Sequence, residues 1–222
     1  MITVIANLKG GSGKSTVAFN LGIWLLQKGH PVAAYDLDPQ MTLSDVALVR
    51  RDEGYSPPLQ VYLAQEALAD HLKYHPGEVL VDVGVANLPR MKEAIGVSSR
   101  VVIPVPPSQP DVWATQRFLK ILKDATPDPD NLEVLAFINR ADTHHAVRES
   151  DETEEAIMQL PGVTLLPFRL FQRTIYRRSL SEGLAVFELW PNCKAAREFD
   201  AFASALYPDI ARAHAKKKSS GE

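Results

Sequence analysis

Lys9, Gly10, Gly11, Ser12, Gly13, Lys14, Ser15 and Thr16 follow one another directly, and residue types in this order can hold a chain of phosphates. Glycines let successive backbone N–H groups turn toward an anion with no Cβ in the way. A helix opening next to them adds the positive end of its dipole. Lys14 is placed to reach β- and γ-phosphates, and the Ser15 hydroxyl to ligate Mg²⁺. The general phosphate-loop pattern G-x-x-x-x-G-K-[ST] is met at Gly13, Lys14 and Ser15, but its first glycine falls on Leu8. Lys9, Gly10 and Gly11 stand there instead. A glycine turn that only joins a strand to a helix is the plainer reading. The Lys-Ser ending, set between a strand and a helix, favours a nucleotide.

Carboxylates recur at the ends of apolar runs. Asp36 and Asp38 close the second run, ahead of Pro39 and Gln40, and Asp82 follows Leu80 and Val81. An Asp after an apolar strand is the pattern that holds Mg²⁺ through water in phosphate-transfer sites. Such chemistry needs an oriented water and neutralised charge more than a strong base, so an ordinary carboxylate such as Asp38 suffices. An Asp-Pro turn is the competing reading for Asp38 alone.

The elements that must carry these groups alternate. Residues 2–6 are apolar and β-branched, residues 15–28 carry apolar positions at helical spacing up to Gly29, and residues 31–35 form a second strand. Strand, glycine loop, helix and strand make a βαβ unit, hence a parallel sheet. Strands are predicted at 78–81, 100–105, 132–138 and 162–166. Helices are predicted at 109–123, at 150–160 with Ser150 as its cap, after Phe171 and after Pro191. Polar groups fall at the carboxyl ends of several strands, the edge where open parallel sheets bind ligands. The expected fold is α/β, a single-domain, mostly parallel twisted sheet with helices on both faces over residues 1–207. Residues 208–222, with Lys216, Lys217 and Lys218, are expected as a flexible basic tail.

Bulk properties remove several classes. The net charge of −3 over 222 residues rules out a polycation, so any nucleic-acid contact must come from a local patch. Such a patch exists: Arg169, Arg173, Arg177 and Arg178 lie in a stretch with no acidic residue. Arg173 and Arg177 share one face if that stretch is helical. The single cysteine, Cys193, forbids an intrachain disulfide and a cluster site built on cysteine pairs. No apolar run approaches the length of a membrane span, and no secretory signal opens the chain. His144 and His145 are adjacent, point apart on any regular element and lack a near third ligand, so they read as loop histidines.

The stretch from Lys9 to Thr16 resembles the deviant Walker A motif of the ParA/MinD family of phosphate-loop ATPases, in which an extra lysine precedes the glycines. The resemblance extends through the Asp36 to Gln40 segment and the Arg173 to Glu188 stretch, and is nearest to short ParF-like partition proteins. It implies ATP and Mg²⁺ as ligands and slow hydrolysis stimulated by a ParB-like partner. It also implies ATP-dependent homodimers in which Lys9 reaches the partner's phosphates. By the same resemblance Asp38 positions the attacking water, Asp36 lies near Mg²⁺, Asn139 and Arg140 sit near the adenine, and Pro167 and Phe168 border it. Arg169, Arg173, Arg177 and Arg178 would hold nonspecific DNA in a cytoplasmic, nucleoid-associated protein that moves a plasmid, chromosome or protein microcompartment. Family members follow the third Asp with a Pro-containing switch segment; here Val83, Gly84, Val85, Ala86 and Asn87 match it only at Gly84. A MinD-like membrane-surface organiser needs more apolar area than the C-terminal residues offer. An amidoligase-type enzyme does not account for Lys9, Asp38 and the arginines together.

Overall fold

Seven parallel strands form one sheet in the order β3-β2-β4-β1-β5-β6-β7. The structure is a computed structural model that describes residues 1–63, 66–144 and 148–219, the last three by their backbone only. His145 and the side chains of Lys217 and Lys218 lie outside the described residues.

β1 (Ile2–Asn7) is central, flanked by β4 (Glu78–Gly84) and β5 (Arg100–Val105). Beyond β4 lie β2 (Val32–Asp36) and the edge strand β3 (Gln60–Leu63). Beyond β5 lie β6 (Glu133–Ala141) and β7 (Thr164–Phe171). The inner strands are buried on both faces, which is why they read as continuous apolar runs instead of alternating ones. Ile5 and Leu80 face one core; Val4, Ala6 and Val81 face the other.

The first core is covered by α1 (Lys14–Gln27), α2 (Thr42–Asp52), α8 (Val186–Leu189), α9 (Lys194–Leu206) and the start of α10 (Pro208–Ser219), with α7 (Thr174–Ser181) packed beside them. The second is covered by α3 (Leu68–Tyr74), α4 (Leu88–Ile95), α5 (Gln109–Ala125) and α6 (Glu149–Met158). Helices therefore lie on both faces of a parallel sheet, as expected. Chain order reverses around β1, and that reversal opens a crevice at the carboxyl ends of the strands.

Three local expectations are corrected. α6 starts before Ser150, whose buried hydroxyl caps nothing. β7 runs to Phe171, because residues 166–168 bulge out of register opposite Phe137 and the strand then resumes at Arg169. Residues 208–219, expected as part of a flexible tail, are helical, and Ile210 packs into the first core alongside Tyr207. Among the described residues no helix is long and apolar enough to cross a membrane.

Candidate nucleotide site

β1 delivers the glycine loop to the centre of that crevice. Asn7, fully buried, donates from Nδ2 to the Pro104 carbonyl of β5 at 2.8 Å and accepts from the Lys9 amide at 3.1 Å. This fixes the direction in which the loop leaves the sheet. Gly13 has φ +92 at the N-cap of α1, and a Cβ there would overlap the Asn139 amide, so only glycine fits. Asn139 donates to the Ser12 carbonyl at 2.6 Å, and Arg140 Nη1 to the Gly11 carbonyl at 2.5 Å. Arg140 is itself held at φ +59, a left-handed conformation costly for a residue with a Cβ. The end of β6 thus occupies two loop carbonyls and fixes the loop's outline.

A cavity of about 740 Å³ lies against the loop, within the size range of small-ligand sites. Gly10, Gly11, Gly13, Lys14, Ser15 and Thr16 line it on one side, and Asp38, Pro39, Gln40 and Gly84 on another. Lys14 is buried at the first turn of α1, which carries no acidic residue there to neutralise it. The electrostatics suit a polyanion.

The three acids differ. Asp36 and Asp82 are in register on β2 and β4. The Asp36 carboxylate is already engaged: Oδ1 accepts from the Asp38 amide at 3.2 Å, and Oδ2 from the Ser44 amide at 2.8 Å and its hydroxyl at 2.9 Å. It organises the loop into α2. Asp82 is fully buried and neither oxygen has a hydrogen-bond partner of normal geometry. Burial pushes its carboxyl up to about 7, opposed by the nearby Ser15 hydroxyl and Lys14 ammonium. A buried carboxylate with both oxygens unclaimed, beside a serine hydroxyl, fits a hydrated Mg²⁺. Among the described residues no group of three His, Cys, Asp or Glu could hold a metal ion. Of the three residues expected at the metal, Ser15, Asp36 and Asp82, the Asp36 carboxylate is held by the loop into α2, whereas both oxygens of Asp82 are unclaimed.

Asp38 is half-buried on the cavity wall, its Oδ1 accepting from the Gln40 amide at 3.0 Å. Lys9 stands elsewhere. Its Nζ meets Asp111 Oδ2 at 2.7 Å on the first turn of α5, with 44% of the side chain exposed, and it does not line the cavity. Asp111 is a residue the sequence reading missed. Ser-x-x-Asp at 108–111 reads as an ordinary helix cap, and Ser108 does cap α5.

Two other groups are corrected. Pro167 and Phe168 do not line the cavity; the bulge carries Pro167 to the surface and turns Phe168 to the first core, and Leu170, Phe171 and Gln172 take their place. The four arginines are not one unpaired patch. Arg169 bonds both Asp151 and Glu154 of α6, Arg173 bonds Glu198 of α9, and Arg178 bonds Glu182. Among the described residues Arg177 has no ion pair. It lines the cavity together with Arg173.

A glycine loop at the end of the central strand of a parallel sheet, opening a helix and facing carboxylates from two neighbouring strands, defines a phosphate-loop nucleotide-binding protein. Over residues 3–186 the chain matches the CobQ/CobB/MinD/ParA nucleotide binding domain. The chain belongs to that family of nucleotide-binding ATPases. It is 27% identical over 200 residues to the maintenance of carboxysome distribution protein A of Halothiobacillus neapolitanus, covering 87% of this chain and 90% of that one. It is 28% identical over 224 residues to the protein ParA of Rhizobium radiobacter, covering 96% and 98%. Among solved structures, apo McdA from Cyanothece superposes with a TM-score of 0.70 at 22% identity, covering 92% of this chain and 98% of that one. A plasmid partition protein from Borrelia burgdorferi bound to AMPPNP superposes with a TM-score of 0.69 at 19% identity, covering 97% and 98%. At such identities the solved structures establish the shared fold.

Proposed function

We propose that this chain is a positioning ATPase that dimerises on ATP and releases the dimer on hydrolysis. The triphosphate lies along the glycine loop with Lys14 on its β- and γ-oxygens, and Asn139 and Arg140 border the nucleoside. Ser15 and Asp82 would hold a Mg²⁺ ion, which would supply charge neutralisation on the phosphates. Asp38 orients the attacking water from across the cavity. Two copies face each other across two nucleotides, and each Lys9 reaches the partner's phosphates.

The position of Lys9 carries this reading. Its side chain is 44% exposed, outside its own cavity and parked on Asp111, so it is available to another copy. A triphosphate enclosed between two subunits needs more positive charge than Lys14 and one metal ion supply. Sizing chromatography with a slowly hydrolysed ATP analogue tests it: wild-type protein shifts to dimer, and Lys9→Ala stays monomeric. Dimers that persist in Lys9→Ala refute the cross-subunit role.

The dimer binds nonspecific DNA in the cytoplasm through exposed arginines of α7, chiefly Arg177 and Arg178, acting on backbone phosphates. A ParB-like partner stimulates hydrolysis and links the cycle to a cargo. The carboxysome-distribution relative and the plasmid partition structure favour a carboxysome-like body or a plasmid as that cargo. A membrane-surface role is disfavoured because Ile210, the bulky apolar residue of α10, is already packed in the core.

A further inference from the structure

The segment after Asp82 is wired to the loop that carries Asp38. Three links join them. The Leu37 amide donates to the Asp82 carbonyl at 2.9 Å, extending the β2–β4 ladder by one residue. Asn87 donates from Nδ2 to the Leu37 carbonyl at 3.2 Å, so both backbone groups of the residue before Asp38 are tied to this segment. At Gly84 a Cβ would overlap Asp38 Oδ2 and come within 3.7 Å of Lys14 Cε. Gly84 has an ordinary extended backbone. It is glycine for the room it leaves, not for its φ.

Asn87 also forgoes its ordinary use. It occupies the N-cap of α4, where an Asn side chain normally accepts from the first turn, a bond worth about 1 kcal/mol. Here it makes no such bond. Its amide is turned to Leu37, and residues 84–86 between the two anchors line the cavity. From this geometry we infer that Gly84 and Asn87 are positioning residues for the Asp38 carboxylate. Gly84 seats Oδ2, and Asn87 holds the backbone leading into it. The inference rests on Asp38 as the water-orienting group.

Asn87→Asp separates positioning from folding. Aspartate keeps the shape and is a good N-cap, but it cannot donate to the Leu37 carbonyl. The variant should melt no lower than wild type and bind a fluorescent ATP analogue within about twofold, while ATP turnover falls about ten- to a hundredfold, the scale of an ångström-level misplacement. Gly84→Ala should lower turnover by a similar factor with little change in KM for ATP. In an Asp38→Ala background neither substitution should lower turnover further, because residues acting through one group are not additive. Turnover kept in both single variants overturns the positioning role, as do losses that add fully to that of Asp38→Ala. If wild-type turnover survives Asp38→Ala, the reading of Asp38 itself falls first, and this one with it.

Discussion

Replacing Asp111 with Asn should tighten the ATP-dependent dimer. In the monomer Asp111 is nearly buried, accepts the Ser108 hydroxyl and holds Lys9 Nζ at 2.7 Å. If Lys9 must cross to another subunit, that pair breaks first. Lys9 is 44% exposed, so solvent screening limits the pair to about 1 kcal/mol. A symmetric dimer breaks two such pairs, about 2 kcal/mol together, which corresponds to roughly a thirtyfold change in the dimer dissociation constant. Asn keeps an acceptor for Ser108 and removes the charge that detains Lys9. Sedimentation velocity over a concentration series, with a slowly hydrolysed ATP analogue, should show the midpoint of dimerisation moving about thirtyfold lower. In nucleotide-free protein the variant should remain monomeric. An unchanged or weaker dimer constant in Asp111→Asn would refute the idea that Asp111 restrains Lys9.

The buried Asp82 should make the nucleotide-free, Mg²⁺-free protein less stable as pH rises. The unfolded chain loses this proton near 3.8 and the folded one near 7, so stability falls across that window, by about 4 kcal/mol for a shift of this size. Asp82→Asn should flatten that part of the urea-midpoint profile, and an identical slope in the variant would rule the cause out. Glu188→Ala should cost about 3–5 kcal/mol in urea melts, since it strands Arg50, whose side chain is fully buried and bound to Glu188 at 2.7 Å. If Arg177 and Arg178 alone meet DNA phosphates, four contacts per dimer give a log–log salt slope of about −4, against about −7 for all four arginines. The steeper slope would mean that Arg169 and Arg173 leave their acidic partners.

The phosphate loop, the positions of the main strands along the chain and the acids at their ends were legible because each is a local pattern: glycines beside Lys-Ser, and apolar runs stopped by Asp. The sheet between residues 37 and 78 was not. β3 is a four-residue edge strand with exposed ends, too short for periodicity to register. α2 begins behind a left-handed Met41 with no side-chain cap, so the usual start signal is missing. Asp111 and the ion-pair partners of Arg169 and Arg173 come from sequence-distant helices. In a stretch that looks purely basic in sequence, residues 169–178, two of the four arginines, Arg169 and Arg173, are neutralised by carboxylates of α6 and α9 that only folding brings near. Pro167 failed for another reason: a bulge of three residues shifts everything after it, and nothing in an apolar run announces its register.

The carbonyl oxygens of Gly11 and Ser12 are spoken for by β6 before any ligand arrives. Polar groups of one sign are thereby drawn off, and the amides of the same peptides remain as the loop's uncommitted hydrogen-bonding capacity. The ordering cost is met during folding and not on encounter. Nucleotide capture should accordingly follow a single concentration-dependent phase in stopped-flow, with no slower rearrangement of the loop behind it.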